Sequence, residues 1–244
     1  MLAPQDIFLS CGISIDDSIK KWERLEYMTG YKIIELDTWP RKEHYLHFTK
    51  ELNCTCCLTS NIDVALLVHG AKSAHRSLYI CLLYCICKVI NRHDEFKMSY
   101  QWQTDTLILW EEVGASHIVF HEKDETFTRI WSAWKEDFMA FYESCALDVA
   151  RGKNISGYSV PNVPPNLFDV SCLPWITYTG MSLHIPENWI YLAPIITWGK
   201  FEEVNGKALL PLTMQIHHAV ADGFHIARFF KEVEQVANDL ALSL

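Results

Sequence analysis

A chain of 244 residues with 50% hydrophobic and 21% charged side chains holds enough apolar material to bury a sizeable core as one domain. Its 30 acidic against 21 basic residues give a formal net charge of −9 without a cluster of Lys or Arg, which argues against a nucleic-acid surface and against attraction to anionic lipid. No apolar stretch is long enough to span a bilayer, and the first residues lack the basic and apolar regions of a signal peptide, so a cytoplasmic location is expected.

Residues 16–27 carry a short charged pattern that reads as a leader helix, and residues 1–28 are expected to form an extension ahead of a domain spanning 29–244. A strand over 31–36 is followed by a helix over 41–51 and a strand over 54–59. Apolar Leu78, Leu82, Leu83, Ile86, Val89 and Ile90 predict a helix over 71–91. Strands are expected near 98–101, 107–111 and 116–121. Ile130, Trp131, Trp134, Phe138, Phe141 and Cys145 then form a stripe that predicts one long helix over 127–150, its aromatic face belonging to the core. Pro161, Pro164 and Pro165 mark 157–166 as a surface loop, after which the sheet resumes at Val170. Strands over 176–183, 191–200 and 209–218 complete a mixed sheet, and Phe224, Ile226, Phe229, Phe230, Val233, Val236 and Leu240 predict a closing helix. The pattern as a whole predicts an α/β fold, a two-layer sandwich with a mixed β-sheet.

Nine cysteines without an export signal read as reduced thiols packed as small hydrophobes. Cys54 and Cys56 face one way along an extended run and Cys57 the other, while Cys81, Cys85 and Cys87 are spread around a helix, so neither group forms a metal site. His217 and His218 are strand neighbours pointing to opposite faces and do not share an ion; no metal is expected.

His218 is the residue with chemical promise. It ends the row Leu212, Met214, Ile216 at the point where an alternating strand stops and a helix starts, with Asp222 and Gly223 reading as turn and helix-start residues. Such a histidine is either a hydrogen-bonded core residue or an acid–base group, and spacing alone leaves both open.

The run His217-His218-Ala219-Val220-Ala221-Asp222-Gly223 resembles the HHxxxDG signature of the chloramphenicol acetyltransferase family, shared more distantly with the catalytic domains of dihydrolipoamide acyltransferases. Further matches follow in order: Trp39-Pro40-Arg41-Lys42-Glu43-His44, Val119-Phe120-His121-Glu122 through Glu125-Thr126-Phe127, Ser171-Cys172-Leu173-Pro174-Trp175, and Ala193-Pro194-Ile195-Ile196-Thr197. The resemblance covers roughly residues 30–240, a whole domain.

The resemblance implies a CoA-dependent acyltransferase-like fold and direct acetyl transfer from acetyl-CoA, the co-substrate, to a chloramphenicol hydroxyl, which inactivates the antibiotic. It makes His218 the general base, Ser171 the oxyanion donor and Thr197 the holder of a water near the intermediate. Four residues beyond His218, Asp222 invites assignment as a triad acid; the resemblance instead pairs it with Arg41 as structural support. The acceptor pocket is expected from Phe48, Leu52, Cys54, Tyr158, Met181, Leu183 and Ile195, with Trp175 and Phe201 on the coenzyme side. Phe48 stands where the family often has tyrosine, Met181 and Tyr158 where phenylalanine or another apolar residue is common, and Ala221 where cysteine is. A homotrimer with each site at a subunit interface is implied as well. Two other readings stay open: an O-acetyltransferase for a different hydroxyl acceptor, and a non-catalytic homologue. A dihydrolipoamide acyltransferase core fits less well, because no flexible Ala/Pro linker lies ahead of it.

Overall fold

The structure is a computed structural model that describes residues 30–186 and 189–244. The expected helix within 16–27 and the whole of the expected extension, 1–28, lie outside the described residues.

Strands β1 (Tyr31–Ile33), β2 (Thr55–Asp63), β3 (Met98–Gln101), β4 (Thr106–Trp110), β5 (Gly114–His121), β6 (Thr126–Ser132), β7 (Leu167–Leu173), β8 (Ile195–Gly199), β9 (Glu202–Val204) and β10 (Lys207–His217) alternate with helices. The helices are α1 (Lys42–Leu46), α2 (Ala65–Ser73), α3 (Leu78–Arg92), α4 (Phe138–Gly152) and α5 (Gly223–Ala241). A large sheet has the order β2-β10-β8-β7-β5-β6, with β9 paired to β10, and a small one the order β1-β4-β3. β7 runs parallel to both β5 and β8 while the other pairs are antiparallel, so the sheet is mixed, as expected.

Why this sheet has two different faces is written in β10. Leu212, Met214 and Ile216 are at most 1% exposed and join the core with the helices. Thr213, Gln215 and His217, on the other face, are buried too, although they are polar. The segment 176–186 covers Thr213 and Gln215. Gln215 accepts from the Leu183 amide at 2.8 Å and donates to its carbonyl at 2.7 Å, while the Tyr178 hydroxyl donates to the Thr197 carbonyl at 2.7 Å. Residues 176–183 of this segment were expected to be a strand. The segment is extended but joins no ladder, because both sides of β10 are already taken by β2 and β8 and the chain must cross above them. Gly199 permits the crossing: a Cβ there would meet the Ile176 carbonyl oxygen and Tyr178 Cδ1 at 2.9 Å.

Other expectations are corrected. The single helix over 127–150 is a strand followed by a helix: in β6 Thr128, Ile130 and Ser132 are buried on one face, and α4 starts only after Asp137, whose carboxylate accepts from the Ala140 amide at 2.8 Å. The helix over 71–91 is two helices, α2 and α3, separated by a turn in which His75 has φ 53°. α3 is buried nearly all round and forms the centre of the helical layer. The strand over 191–200 is confined to β8, which begins after Pro194, a residue without an amide proton to give a ladder. Along α5, Ile226, Phe229, Phe230, Val233, Val236, Ala237 and Leu240 are buried at helical spacing, as predicted.

Candidate active site

The end of β10 is held by three neighbouring structures. The His218 amide donates to the Cys54 carbonyl at 3.0 Å, which extends the pairing with β2 one step past the last strand residue. Arg41, just before α1, donates from Nη2 to the His218 carbonyl at 3.1 Å and from Nε to the Ala219 carbonyl at 3.3 Å. Its Nη1 donates to Asp222 Oδ2 at 3.1 Å, the ion pair expected from the sequence. Asp222 also caps α5, its Oδ1 accepting from the Phe224 amide at 3.1 Å while its own amide donates to His225 Nδ1 at 3.1 Å. Burial pushes the Asp222 carboxyl up, but the bond from Arg41 and the nearby His225 outweigh it and leave the carboxyl below its ordinary range. Asp222 does not hydrogen-bond the His218 ring: it fixes the loop and not the imidazole.

The His218 ring is held differently. Its Nδ1 lies 3.1 Å from the Ala221 carbonyl oxygen. A carbonyl only accepts, so the neutral ring carries its proton on Nδ1 and leaves Nε2 with a free lone pair. The ring stacks on Phe48 with centroids 4.0 Å apart and planes 13° apart. Phe48 reaches it from a π-helical turn, His47–Glu51, closed by the Leu52 amide donating to the His47 carbonyl at 2.9 Å. A regular helix had been expected over 41–51; only α1 is regular.

His217 is a core residue. Its Nδ1 accepts from the Ala219 amide at 3.2 Å and its Nε2 bonds the Asn53 amide oxygen at 2.7 Å. Burial, together with neighbouring His218, pushes its pKa down to about 4.

Ser171 and Thr197 are in register on adjacent strands, and Thr197 is in register with Thr213. Facing partners share a face, so the two hydroxyls stand side by side on the polar face of the sheet, Thr197 buried and Ser171 half-buried. They are not close to His218. From Thr213 to His218 the chain runs five residues at roughly 3.3 Å each, and two steps of roughly 4.8 Å lead across to β7, which puts Ser171 on the order of 15–20 Å from His218 within one chain.

The expected pocket residues divide along the same line. Phe48, Leu52 and Cys54 surround the imidazole end, and Leu52 lines an open cleft with Thr49, Lys50, Asn53, Trp102 and Ile190. Ile195 is in register with Gln215, Leu183 is bonded to that same glutamine, and the Met181 carbonyl accepts from the Cys57 thiol at 3.0 Å. Tyr158 is 68% exposed beside Phe127. Trp175 and Phe201 line a second cleft with Ile176, Thr177 and Lys200. Sequence reasoning missed Asn53, Gln215 and Tyr178, whose roles are hydrogen bonds to distant partners that no local pattern marks. Among the described residues no three metal-ligating side chains gather at one point, and no helix is long and apolar enough to cross a membrane.

The profile of the family described as chloramphenicol acetyltransferase matches residues 28–234. A chloramphenicol acetyltransferase of Streptomyces acrimycini is 38% identical over 209 residues, 85% of this chain and 94% of that protein. One from Clostridium perfringens is 36% identical over 211 residues, 86% of this chain and 95% of that protein. A solved chloramphenicol acetyltransferase structure superposes with a TM-score of 0.77 at 22% identity, covering 85% of this chain and 99% of that one, a likeness of fold.

Proposed function

From the premise that this chain belongs to the chloramphenicol acetyltransferase family, we propose that it transfers the acetyl group of acetyl-CoA to a hydroxyl of chloramphenicol by direct attack. The observation that carries the reading is the state of His218: a ring fixed in plane, protonated on Nδ1 and free at Nε2 is a general base waiting for a hydroxyl. His218 Nε2 takes the acceptor proton as the oxygen attacks the thioester carbonyl. The Ser171 hydroxyl donates to the oxyanion, and Thr197 holds a water beside it. The intermediate collapses by breaking the carbon–sulfur bond, and the imidazolium returns its proton to the departing thiolate. No acyl-enzyme forms.

A base and an oxyanion donor some 15–20 Å apart cannot serve one tetrahedral carbon. The site is therefore proposed to lie between two copies, one giving His218, Phe48, Leu52 and Cys54, the other Ser171, Thr197 and Tyr158, in a homotrimer. Exposed Phe120, Phe127, Tyr158 and Trp175 on or beside the polar face of the sheet support this, since an apolar patch of that kind marks an interface. Ile195, Met181 and Leu183 complete the acceptor pocket, and Trp175 and Phe201 flank acetyl-CoA in their shared cleft. Arg41 and Asp222 are structural support. A cytoplasmic place and a role in antibiotic resistance follow from the same reading.

The test is thiol release from acetyl-CoA with and without chloramphenicol. Drug-dependent turnover is expected from the wild type and a loss of at least about 100-fold in His218→Ala; equal turnover in the two would remove His218 from the chemistry, and turnover only with other alcohols would favour a different acceptor. Residues 1–28 are read as an extension without catalytic role, so removing them should leave thiol release and oligomer size unchanged on size exclusion.

A further inference from the structure

Two residues before Ser171, on the same strand and the same face, β7 carries a carboxylate that the reaction as described does not use. Asp169 receives a short hydrogen bond from the buried Tyr191 hydroxyl, and its second oxygen lies 3.8 Å from Arg129 Nη2. Arg129 is itself anchored, Nε donating to the Ser116 hydroxyl at 2.7 Å. A partly buried carboxylate costs desolvation, and the chain offsets it with two side chains from separate segments, Tyr191 and Arg129. Yet the Asp169 side chain is 38% accessible, so part of it still faces outward from the sheet.

Strand register places Asp169 next to residues of the proposed acceptor pocket. Asp169 pairs in register with Ile195, Ser171 follows it on the strand, and the Arg129 amide donates to the Tyr158 carbonyl at 2.7 Å. An ionised carboxylate has about four acceptor sites and no donor. Tyr191 engages one oxygen and Arg129 lies beside the other, which leaves acceptor capacity on an accessible side chain whose neighbours in the proposed pocket are mainly apolar.

We propose that Asp169, oriented by Tyr191 and Arg129, is a specificity-determining residue of the acceptor site that accepts a hydrogen bond from a second N–H or O–H group of the acceptor, distinct from the hydroxyl that is acetylated. This rests on the acetyl-transfer reading. It predicts selection for acceptors that carry such a donor about one strand pitch, roughly 7 Å, from the reacting carbon. Tyr191 and Arg129 act through Asp169 as positioning residues.

The experiment compares chloramphenicol, which has an amide N–H and a second hydroxyl, with analogues lacking one or the other, in the wild type, Asp169→Ala and Tyr191→Phe. Asp169→Ala is expected to raise KM for the donor-bearing acceptor about tenfold or more, with kcat and the KM for acetyl-CoA little changed. The analogue that lacks the engaged donor should show the raised KM already in the wild type and lose nothing further in the variant. Tyr191→Phe should give a smaller shift in the same sense. Equal losses for all acceptors, or none, overturn the proposal. Should Asp169→Ala fail to fold, Asp169→Asn keeps the size and the Tyr191 bond, and the same comparison decides. Absence of drug-dependent thiol release in the wild type would strike the acetyl-transfer reading itself, and this role with it.

Discussion

At the end of β10, His218 has its amide, its carbonyl, its ring proton and its ring plane all fixed by groups of its own chain. On β7, Ser171 stands half-buried on the polar face of the same sheet, and among the described residues no hydrogen bond holds its hydroxyl. One region is fixed from within its own chain and the other is not. Under the proposed function the difference has a meaning: a base that must hold one tautomer is locked locally, whereas a donor proposed to meet charge only in the transition state, across a contact with a second copy, is placed by strand register.

The largest effect that can test this division comes from Ser171→Ala, expected to lower kcat by about 100-fold or more while thermal unfolding and oligomer size stay as in the wild type. Mixing is sharper still. Ser171→Ala and His218→Ala chains, each inactive alone, should regain activity when unfolded and reassembled together, because about a quarter of randomly formed shared sites then hold one intact base and one intact hydroxyl. No recovery in verified mixed oligomers would place both groups in one chain.

Acid should act next, through the two imidazoles that burial keeps neutral, His117 on β5 and His217 on β10, each pushed down to about 4. His217 is held neutral at about 4 against an ordinary value of 6.5, so between those values the unfolded chain binds a proton that the folded chain refuses. Stability contributed by the neutral ring is present above pH 6.5 and is lost as pH falls toward 4, by on the order of 2 kcal/mol. Urea midpoints measured from pH 7.5 to 4.5 should fall accordingly, and less steeply in His217→Gln; an identical slope in the variant would assign the loss elsewhere.

Asp222→Ala removes a partly exposed partner of Arg41 together with the cap of α5, and about 1–3 kcal/mol of stability should go with them. Activity should fall as well, through displacement of the loop after His218, whereas Ser171→Ala leaves stability alone. An Asp222→Ala enzyme with wild-type melting and only kcat reduced would return the aspartate to the chemistry.

The sequence made the imidazole end readable because its signals are local. Alternation up to His217, a helix start at Asp222-Gly223 and a helical apolar stripe all fall within a short run of chain; the structure has the strand, the Asp222 cap and the helix from Gly223 in place, with the turn itself at 218–220. It misled where periodicities coincide: Phe127, Ile130, Trp131 and Trp134 satisfy a helical spacing, yet the β5 partner across from β6 selects the strand. The covering segment 176–186 was hidden for a different reason. Its pairing is with the side chain of Gln215, and sequence patterns describe ladders made by backbones. Asp169, Arg129 and Tyr191 were equally silent, since strands far apart in sequence bring them together.

The π-helical turn between Arg41 and Leu52 bears on how this protein can be rebuilt. Because Leu52 closes on His47, five residues back, the stretch is one residue out of step with ordinary helix, and deleting a residue there to regularise it would swing Phe48 about 100° around the axis and away from the imidazole. Chimeras that exchange acceptor-binding segments between relatives should therefore move residues 41–54 as one indivisible cassette, with joints placed in β2 or ahead of Arg41.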